Sequence, residues 1–455
     1  MRGSRIMLRA ALSAPAALAL HGCAADSGPL DGAGPLPVLE RTAPPRDPAA
    51  DAPPNLSGDI TLRDALAATL SGSPRLAAYS LQARALEAEA VQAGLAPNPE
   101  LEAELEGFGG TGDLAGFGSS EATLAIGQVV ELGGKRLARR RAEQYQAQLA
   151  GWDYEVARID TLAKAAADYI ELLGAEQRRL LAEQTAAVSE RVLEAVAARV
   201  DAGTPPPWAQ TRAKVDVPLA QLAAARAARG VEAARVRLAS NWASFTPEFD
   251  SALGDLEAIT EPPPLSDVLA RLDQNPDVAR WAAEAAARQA ELDLAMAQWT
   301  PDLAVRAGLR YENASDDIGV VAGLAIPLPL YDRAQGSSAA ARLRVVATAR
   351  MADAARAEAG AAIAEAHVNL HNAHAAAIAY RDGAVPGAAA ALDGAEAAFA
   401  EGKVGVLELL DAQHTLYSTR VRLVDAQVAY HRARVRIERL LGDPLTDTTL
   451  QGDHQ

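Results

Sequence analysis

Leu303-Ala304-Val305-Arg306-Ala307-Gly308-Leu309-Arg310-Tyr311 sets apolar side chains at every second position, and after a short loop Ile318-Gly319-Val320-Val321-Ala322-Gly323-Leu324-Ala325-Ile326 does the same. Alternation of this kind is the signature of a strand with two unlike faces. In the first strand, about 302–311, Leu303, Val305, Ala307, Leu309 and Tyr311 share one face, while Ala304, Arg306, Gly308 and Arg310 share the other. In the second, about 318–327, Ile318, Val320, Ala322, Leu324 and Ile326 form the apolar face, and Pro327 and Pro329 end it. Each is about 10 residues, the length that crosses a bilayer obliquely. Trp299 before the hairpin and Tyr311 at its far end stand where interfacial aromatics belong.

An earlier hairpin repeats the plan. Its strands lie at about 100–108, where Glu100, Glu102, Glu104 and Glu106 alternate with Leu101, Ala103 and Leu105, and at 121–130, where Ala122, Leu124 and Ile126 share a face; a Gly-rich loop joins them. Four strands cannot close a membrane barrel, since the smallest have about eight. An open sheet edge in hydrocarbon is not tolerated. Several chains must therefore share one barrel.

Outward from the hairpins the period changes. From residue 135 a helical pattern lasts to about 202, with Tyr145, Leu149, Trp152, Val156, Ile159, Ala163, Ala166, Ile170 and Leu173 in alternating steps of four and three. That 3.5-residue spacing predicts supercoiled packing on neighbouring helices. Pro205-Pro206-Pro207 ends it, and a return helix follows over about 208–243, with Pro218 as its candidate kink. Leu62-Arg63-Asp64-Ala65-Leu66 corresponds to Leu265-Ser266-Asp267-Val268-Leu269, Ser73-Pro74 to Asn275-Pro276, and Pro99-Glu100-Leu101 to Pro301-Asp302-Leu303. The unit of helix, hairpin, long helix and return helix thus occurs twice. The expected organisation is a signal peptide (1–22), a Pro-rich tether (23–57), repeat one (58–245), a connector (246–264), repeat two (265–442) and a tail (443–455).

Composition narrows the function. Aromatic residues are only 4 % of 455, which fits long helices packed through small side chains rather than several globules. A net charge of −16 without a Lys/Arg tract in the body argues against nucleic acid. The only cysteine, Cys23, excludes an intrachain disulfide. It follows a basic start, an apolar run over 10–20 and a Gly22, the layout of a secretory signal, and it resembles a bacterial lipoprotein cleavage site; Cys23 is the expected lipidation site, with outer-membrane sorting. A plain signal peptide cut nearby is the alternative. Beyond the signal no run of about 18 apolar residues exists, so a crossing must use strands. Gly133-Gly134-Lys135-Arg136 lacks the first glycine and the Ser/Thr of a phosphate loop, and no catalytic constellation or cofactor is expected.

Four residue groups stand out. Glu408 and Asp411, in the turn and helix start at 401–412, lie at i and i+3 on one face; in several copies around an axis they would form acidic rings that select and gate cations, and the bland alternative is a solvated helix start, where acids are favoured. Glu100, Glu102, Glu104 and Glu106, opposed by Arg306 and Arg310, would line a wet, acidic barrel lumen if the apolar faces meet lipid. His367, His371 and His374 fall on one helical stripe with spacing suited to a transition metal, or simply form a polar stripe between helices. Lys135, Arg136, Arg139, Arg140 and Arg141 open a long helix where its dipole disfavours them, so acids on neighbouring chains or anionic headgroups are expected beside them.

Three motifs resemble the TolC-like outer-membrane efflux factors: Glu131-Leu132-Gly133-Gly134-Lys135-Arg136, Ile326-Pro327-Leu328-Pro329-Leu330-Tyr331-Asp332-Arg333, and Gly402 through Leu407-Glu408-Leu409-Leu410-Asp411-Ala412 to Leu416-Tyr417-Ser418-Thr419-Arg420. The first two look most like the heavy-metal, cobalt-zinc-cadmium branch. The resemblance implies a mainly α fold with membrane β-hairpins and two internal repeats. It implies a homotrimer whose strands form one 12-stranded outer-membrane β-barrel continued by a 12-helix periplasmic α-barrel. It also implies a periplasmic adaptor, an inner-membrane pump of the resistance-nodulation-division class that supplies the energy, and a gate at Glu408 and Asp411. The family often has an arginine four residues before the first carboxylate, where this chain has Val404 beside Lys403; repeat one has Ala209 and Arg212 at the acidic positions. The resulting expectation is an exit duct for heavy-metal cations. A duct for drugs or organic solutes fits the same scaffold, and a structural coiled-coil envelope protein is the alternative of another class.

Overall fold

Two hairpins build one antiparallel sheet in the computed structural model, which describes residues 56–201 and 207–442. The signal segment, Cys23, the tether to residue 55, the turn at 202–206 and the tail lie outside the described residues. The sheet contains β2 (Glu100–Glu106), β3 (Glu121–Val130), β5 (Leu303–Glu312) and β6 (Asp317–Ala325), in that order across it. These strands fall within two residues of the expected bounds at each end. β3 pairs with β5 from Glu121 opposite Glu312 to Val130 opposite Leu303, which makes the two repeats one sheet. β2 and β6 keep open edges.

Apart from two short strands, the elements outside this sheet are helical. Chain order runs β1 (Ser57–Thr61), α1 (Leu62–Gly72) and α2 (Pro74–Ala93), then the first hairpin, α3 (Lys135–Asp201) and α4 (Pro207–Ala239). A strand β4 (Glu248–Leu253) and α5 (Leu265–Leu269) lead to α6 (Pro276–Ala297), the second hairpin, α7 (Gln335–Ala379), α8 (Val385–Ala400) and α9 (Val406–Leu441). α3 is unbroken over 67 residues, roughly 100 Å at 1.5 Å per residue. Thr61 starts α1 with a full capping box: its hydroxyl accepts from Asp64 N–H while the Asp64 carboxylate accepts from Thr61 N–H. α4 is continuous through Pro218.

Two features depart from the sequence reading. β1 and β4 pair in parallel as a small separate sheet, with Ile60 opposite Ala252. Short strands some 190 residues apart leave no periodic signal. The Tyr169 hydroxyl lies 2.8 Å from the Ile60 carbonyl and 2.7 Å from that of Leu253, which holds this sheet on α3; burial pushes that phenol well above its ordinary pKa. The second long helix is not one α-helix but α7 and α8 joined by a π-turn at Tyr380–Ala384. Its cause is Pro386, which offers no N–H to the carbonyl four residues back and crowds it with its ring.

The helices that continue the strands pack side by side as α2, α3, α6 and α7. The largest apolar cluster, with Ile60, Tyr169, Ile170, Leu238, Trp242 and Phe249, sits where the small sheet meets α3 and α4. A second gathers Ile363, Leu370, Tyr430 and Leu440 between α7 and α9. A third joins the far tips of the two helical hairpins through Val192, Val196, Ala209, Ala213, Val406, Leu409 and Leu410.

Two of the five basic residues that open α3, Lys135 and Arg139, pair with acids inside the chain. Lys135, buried, places its ammonium 2.9 Å from Asp302, whose carboxylate also accepts from Leu132 N–H at 3.1 Å. Arg139 makes a bidentate bond to Glu131 and donates to the Ala93 carbonyl. Arg139 holds the Glu131 carboxyl below the usual range despite burial. Gly133 (φ +68°) permits the turn, and a side chain there would collide with Thr300. The first repeat's exit from the sheet is thereby clamped to the second repeat's entrance.

Candidate functional site

Pairing register decides which side chains share a face of the sheet. Four rungs run across it: Glu100, Gly127, Arg306, Gly323; Glu102, Ala125, Gly308, Val321; Glu104, Thr123, Arg310, Gly319; and Glu106, Glu121, Glu312, Asp317. The opposite face carries Leu101, Leu105, Leu124, Ile126, Leu309, Val320 and their neighbours. These side chains are 49–82 % exposed. An apolar face so bare on a strand sheet is suited to lipid and not to water. Among the described residues no helix is long and apolar enough to cross a membrane.

The polar face is unevenly charged. Its rungs hold seven carboxylates against the two guanidinium groups of Arg306 and Arg310. Arg306 reaches Glu102 at 3.5 Å, and Arg310 reaches Glu121 at 2.8 Å and the Thr123 hydroxyl at 3.1 Å. Arg306 lies flat over Gly323, where a Cβ would come within 2.8 Å of its Nε. Both arginines are thus spent on the sheet's own acids, and the surface that remains is acidic.

At the other end of the chain, α8 closes with a Schellman turn. Lys403 N–H reaches the Ala398 carbonyl at 2.8 Å while Gly402 takes φ +76°. α9 then starts from Gly405 without a side-chain cap. Val406, Leu409 and Leu410 turn into the tip cluster, so Glu408 and Asp411 stand on the exposed side of the helix, one turn apart. Glu408 folds back over Gly405, where the helix N-terminus favours a negative charge. Lys403 pairs with Glu401 and leaves both acids alone. A residue the sequence reading missed ties this turn down: Arg199 of α3 donates to the Phe399 carbonyl and stacks its guanidinium 4.4 Å from the Phe399 ring centroid. No local pattern links residues 200 apart, so the sequence offered no signal for it.

The histidine stripe does not form a three-ligand centre. His367 is buried with Nε2 2.8 Å from the Pro263 carbonyl, His371 packs on its ring at 4.4 Å, and His374 lies against Tyr430. Among the described residues no group of three or more His, Cys, Asp or Glu could hold a metal. Helical spacing set the rings on one side, but the Pro-rich connector occupies it. His367, Tyr430 and His431 bond to Pro263, Thr260 and Leu256 and pin that connector to α7 and α9.

Known proteins share this organisation. The chain is 30 % identical over 397 residues to the cobalt-zinc-cadmium resistance protein CzcC of Cupriavidus metallidurans, covering 86 % of this chain and 92 % of that one. It is 28 % identical to the nickel-cobalt-cadmium resistance protein NccC of Alcaligenes xylosoxydans xylosoxydans, over 69 % of each chain. Among solved structures, CusC superposes with a TM-score of 0.71 at 19 % identity, over 85 % of this chain and 93 % of that one. The open state of the Neisseria gonorrhoeae MtrE outer membrane channel gives 0.69 at 20 % identity, over 84 % and 89 %. The outer membrane efflux protein model matches residues 65–244 and 270–443, one match per repeat. With two hairpins in one sheet, two helical hairpins beneath it and these matches across nearly all of the described residues, the chain belongs to the outer membrane efflux protein family, the TolC-like channels that sit in the outer membrane and extend into the periplasm.

Proposed function

We propose that this outer-membrane efflux channel is the exit duct for heavy-metal cations in a tripartite system, working as a homotrimer with a periplasmic adaptor and an inner-membrane pump of the resistance-nodulation-division class. The observation that carries the cargo is the 30 % identity to a cobalt-zinc-cadmium resistance protein over 92 % of its length. The sheet supports it physically. A closed barrel would turn the apolar face to lipid and the polar face, with Glu100, Glu102, Glu104 and Glu106 in excess over Arg306 and Arg310, to the lumen. Such a bore favours cations. Glu408 and Asp411 are the acids of the periplasmic mouth in this reading, and Cys23 carries the lipid anchor. The chain contributes no energy step, so the pump drives export.

Growth of a deletion strain on zinc, cobalt, cadmium, nickel and copper salts, beside dyes, detergents and antibiotics, tests the cargo. Sensitivity confined to metals is expected. Sensitivity confined to organic compounds overturns the cargo and assigns the same duct to organic solutes.

A further inference from the structure

Three arginines at the head of α3 keep their charge unpaired. Asp302 and Glu131 take Lys135 and Arg139, whereas Arg136, Arg140 and Arg141 make no ion pair among the described residues. Positive charge in the first turns of a helix adds to its dipole instead of opposing it. Three guanidinium groups left so, in a chain whose net charge is −16, call for an anion from outside the chain. The side they face follows from the contacts of α3. Arg139 and Gln146 are seven residues apart, so they lie on one line of the helix. Arg139 reaches the Ala93 carbonyl at the end of α2, and Gln146 reaches Glu291 on α6. Both neighbours therefore lean toward that line, which makes it the concave side of the helical wall and, once the ring closes, the bore. Leu137, Arg140 and Arg141 stand about 110–170° round the helix from it, on the convex outer side. Leu137 and Arg140 are exposed there, and Arg141 partly so.

Toward the sheet, the surface beside these arginines is apolar. Val130, which ends the lipid-directed face of β3, and Leu132 below it are exposed. Trp299, 57 % exposed, comes beside the same helix start, because the neighbouring Thr300 lies against Gly133. Leu137, 44 % exposed, sits between Arg140 and Arg141 round the helix. The depth fits as well. Arg140 and Arg141 lie about 8–9 Å along the axis from the first residue of α3, Lys135. The polar layer flanking a bilayer's hydrocarbon is about 5–8 Å deep on each side, and helical side chains lean toward the N-terminus, here the membrane side. Arginine stems cover the remainder along apolar surface. That of Arg140 lies over the end of α2, where a Cβ at Gly94 would come within 3.1 Å of its Cδ.

We infer that Arg140 and Arg141, with Leu137 and Trp299, seat the phosphate of an anionic phospholipid from the periplasmic leaflet. The two guanidinium forks take the phosphate oxygens, and Arg136 adds to the positive field. Leu137 and Trp299 meet the glycerol ester and the first methylenes of the acyl chains. A free anion would answer the charge but make no use of the apolar pair. The inference rests on the barrel orientation proposed above, apolar face to lipid, and adds the lipid that neutralises what the chain leaves unpaired. α3 packs against both α2 and α6 of its own chain, so the seat needs no second copy to be complete.

Retained lipid tests the seat. The purified full-length channel is reconstituted in equal parts of phosphatidylglycerol and phosphatidylcholine, extracted again in mild detergent at low salt, and its bound lipid counted. A basic residue at an anionic surface is worth about a fivefold preference, so an enrichment of phosphatidylglycerol of roughly tenfold is expected for the pair. Arg140→Gln with Arg141→Gln should bring it close to the bulk ratio, and Arg140→Lys with Arg141→Lys should retain part of it. Arg226→Gln with Arg229→Gln, exposed on α4, removes the same charge elsewhere and should change nothing; an equal fall there overturns the seat in favour of bulk charge. In the wild-type channel, salt at about 1 M, with a Debye length of about 3 Å, should lower the enrichment without any substitution. An enrichment that survives in the glutamine variant or resists salt overturns the seat, as does equal retention of the two lipids. If inorganic phosphate matched to the lipid concentration displaces the phosphatidylglycerol, the site takes a free anion and the lipid assignment falls. Unchanged enrichment in a glutamine variant that no longer supports export gives the arginines to an acidic protein instead. A channel that inserts in neither lipid overturns the barrel orientation itself.

Discussion

Removing Asp302 should loosen the channel more than removing the lysine it holds. The Lys135 side chain is 7 % exposed and Asp302 is 31 % exposed, with 2.9 Å between them. Asp302→Ala leaves a buried ammonium without a counter-ion, which costs about 3–5 kcal/mol in a fully buried pair. It also strands the Leu132 N–H, worth about 1 kcal/mol. The partial exposure of Asp302 lets water reach the cation, so about 3 kcal/mol per chain is the reasonable total. Lys135→Met removes the charge instead. The remaining carboxylate keeps the Leu132 N–H and can be hydrated, so about 1 kcal/mol is expected. Replacing both, Lys135→Met with Asp302→Leu, should recover much of the loss, because an apolar pair often substitutes for a buried ion pair at little cost. The assay is the rate at which purified oligomer loses its unheated gel band at one fixed temperature. A 3 kcal/mol loss felt wholly in the barrier raises that rate about 100-fold. Equal rates for Asp302→Ala and Lys135→Met would refute the asymmetry, and an unchanged Asp302→Ala would refute the clamp.

Two further outcomes follow from other sites. His431 is 2 % exposed, and burial lowers its pKa despite the Leu256 carbonyl 3.1 Å away, with Arg434 and Asp255 as its charged neighbours. A depressed imidazole gives stability that is complete above the unfolded value, about 6.5, and is lost as pH falls through the folded value. The oligomer band should therefore dissociate at lower temperature at pH 5 than at pH 7.5, and His431→Gln should flatten that difference; an equal pH dependence in the variant would sink the assignment. For the mouth, replacing Glu408 and Asp411 together by Ala should raise planar-bilayer conductance and weaken block by divalent cations. Unchanged conductance and block would remove both residues from the gate.

The strands were legible because their alternation is local and both faces matter. Leu303, Val305, Ala307, Leu309 and Tyr311 do share a face, as do the acids of β2 with Arg306 and Arg310. The need for partner chains was legible too, since four strands leave the open edges at β2 and β6. What escaped were contacts between distant residues. The bonds of Lys135 to Asp302 and of Arg199 to Phe399 join positions that no window spans. The β1–β4 sheet pairs two short segments, each with too few buried positions to show a period. The π-turn before Pro386 could have been suspected from the proline alone, whereas Pro218, also inside a helix, left α4 continuous. Of the two readings of the histidine stripe, the structure favours the polar stripe between helices, since helical spacing fixes which side chains align and not what the facing segment offers them.

The two ends of the helical body are held differently, and the difference bears on the proposed gate. Around the small sheet, Tyr169, Trp242, Phe249 and Ile170 are nearly fully buried, and Arg439 bonds Asp160 at 2.7 Å and also Asp277, which fastens the end of α9 to α3 and α6. At the tips the fully buried members of the shared cluster are valines, alanines and two leucines, while its larger members, Leu193, Leu392 and Phe399, are only partly buried. Small side chains bury less area each, so their separation costs less. Segments with few large buried contacts open at lower free energy than the core. Across the tips Arg199 adds a guanidinium-to-carbonyl bond and a ring contact with Phe399, three residues before Gly402 and in the last turn of α8. A bond to a backbone carbonyl fixes the turn itself and not merely a side chain near it. An opening that swings α8 and α9 away from α3 must break this bond, whereas the clamped girdle can stay as it is. If Glu408 and Asp411 form the proposed gate, they stand at the end whose fully buried cluster is built of the smaller side chains.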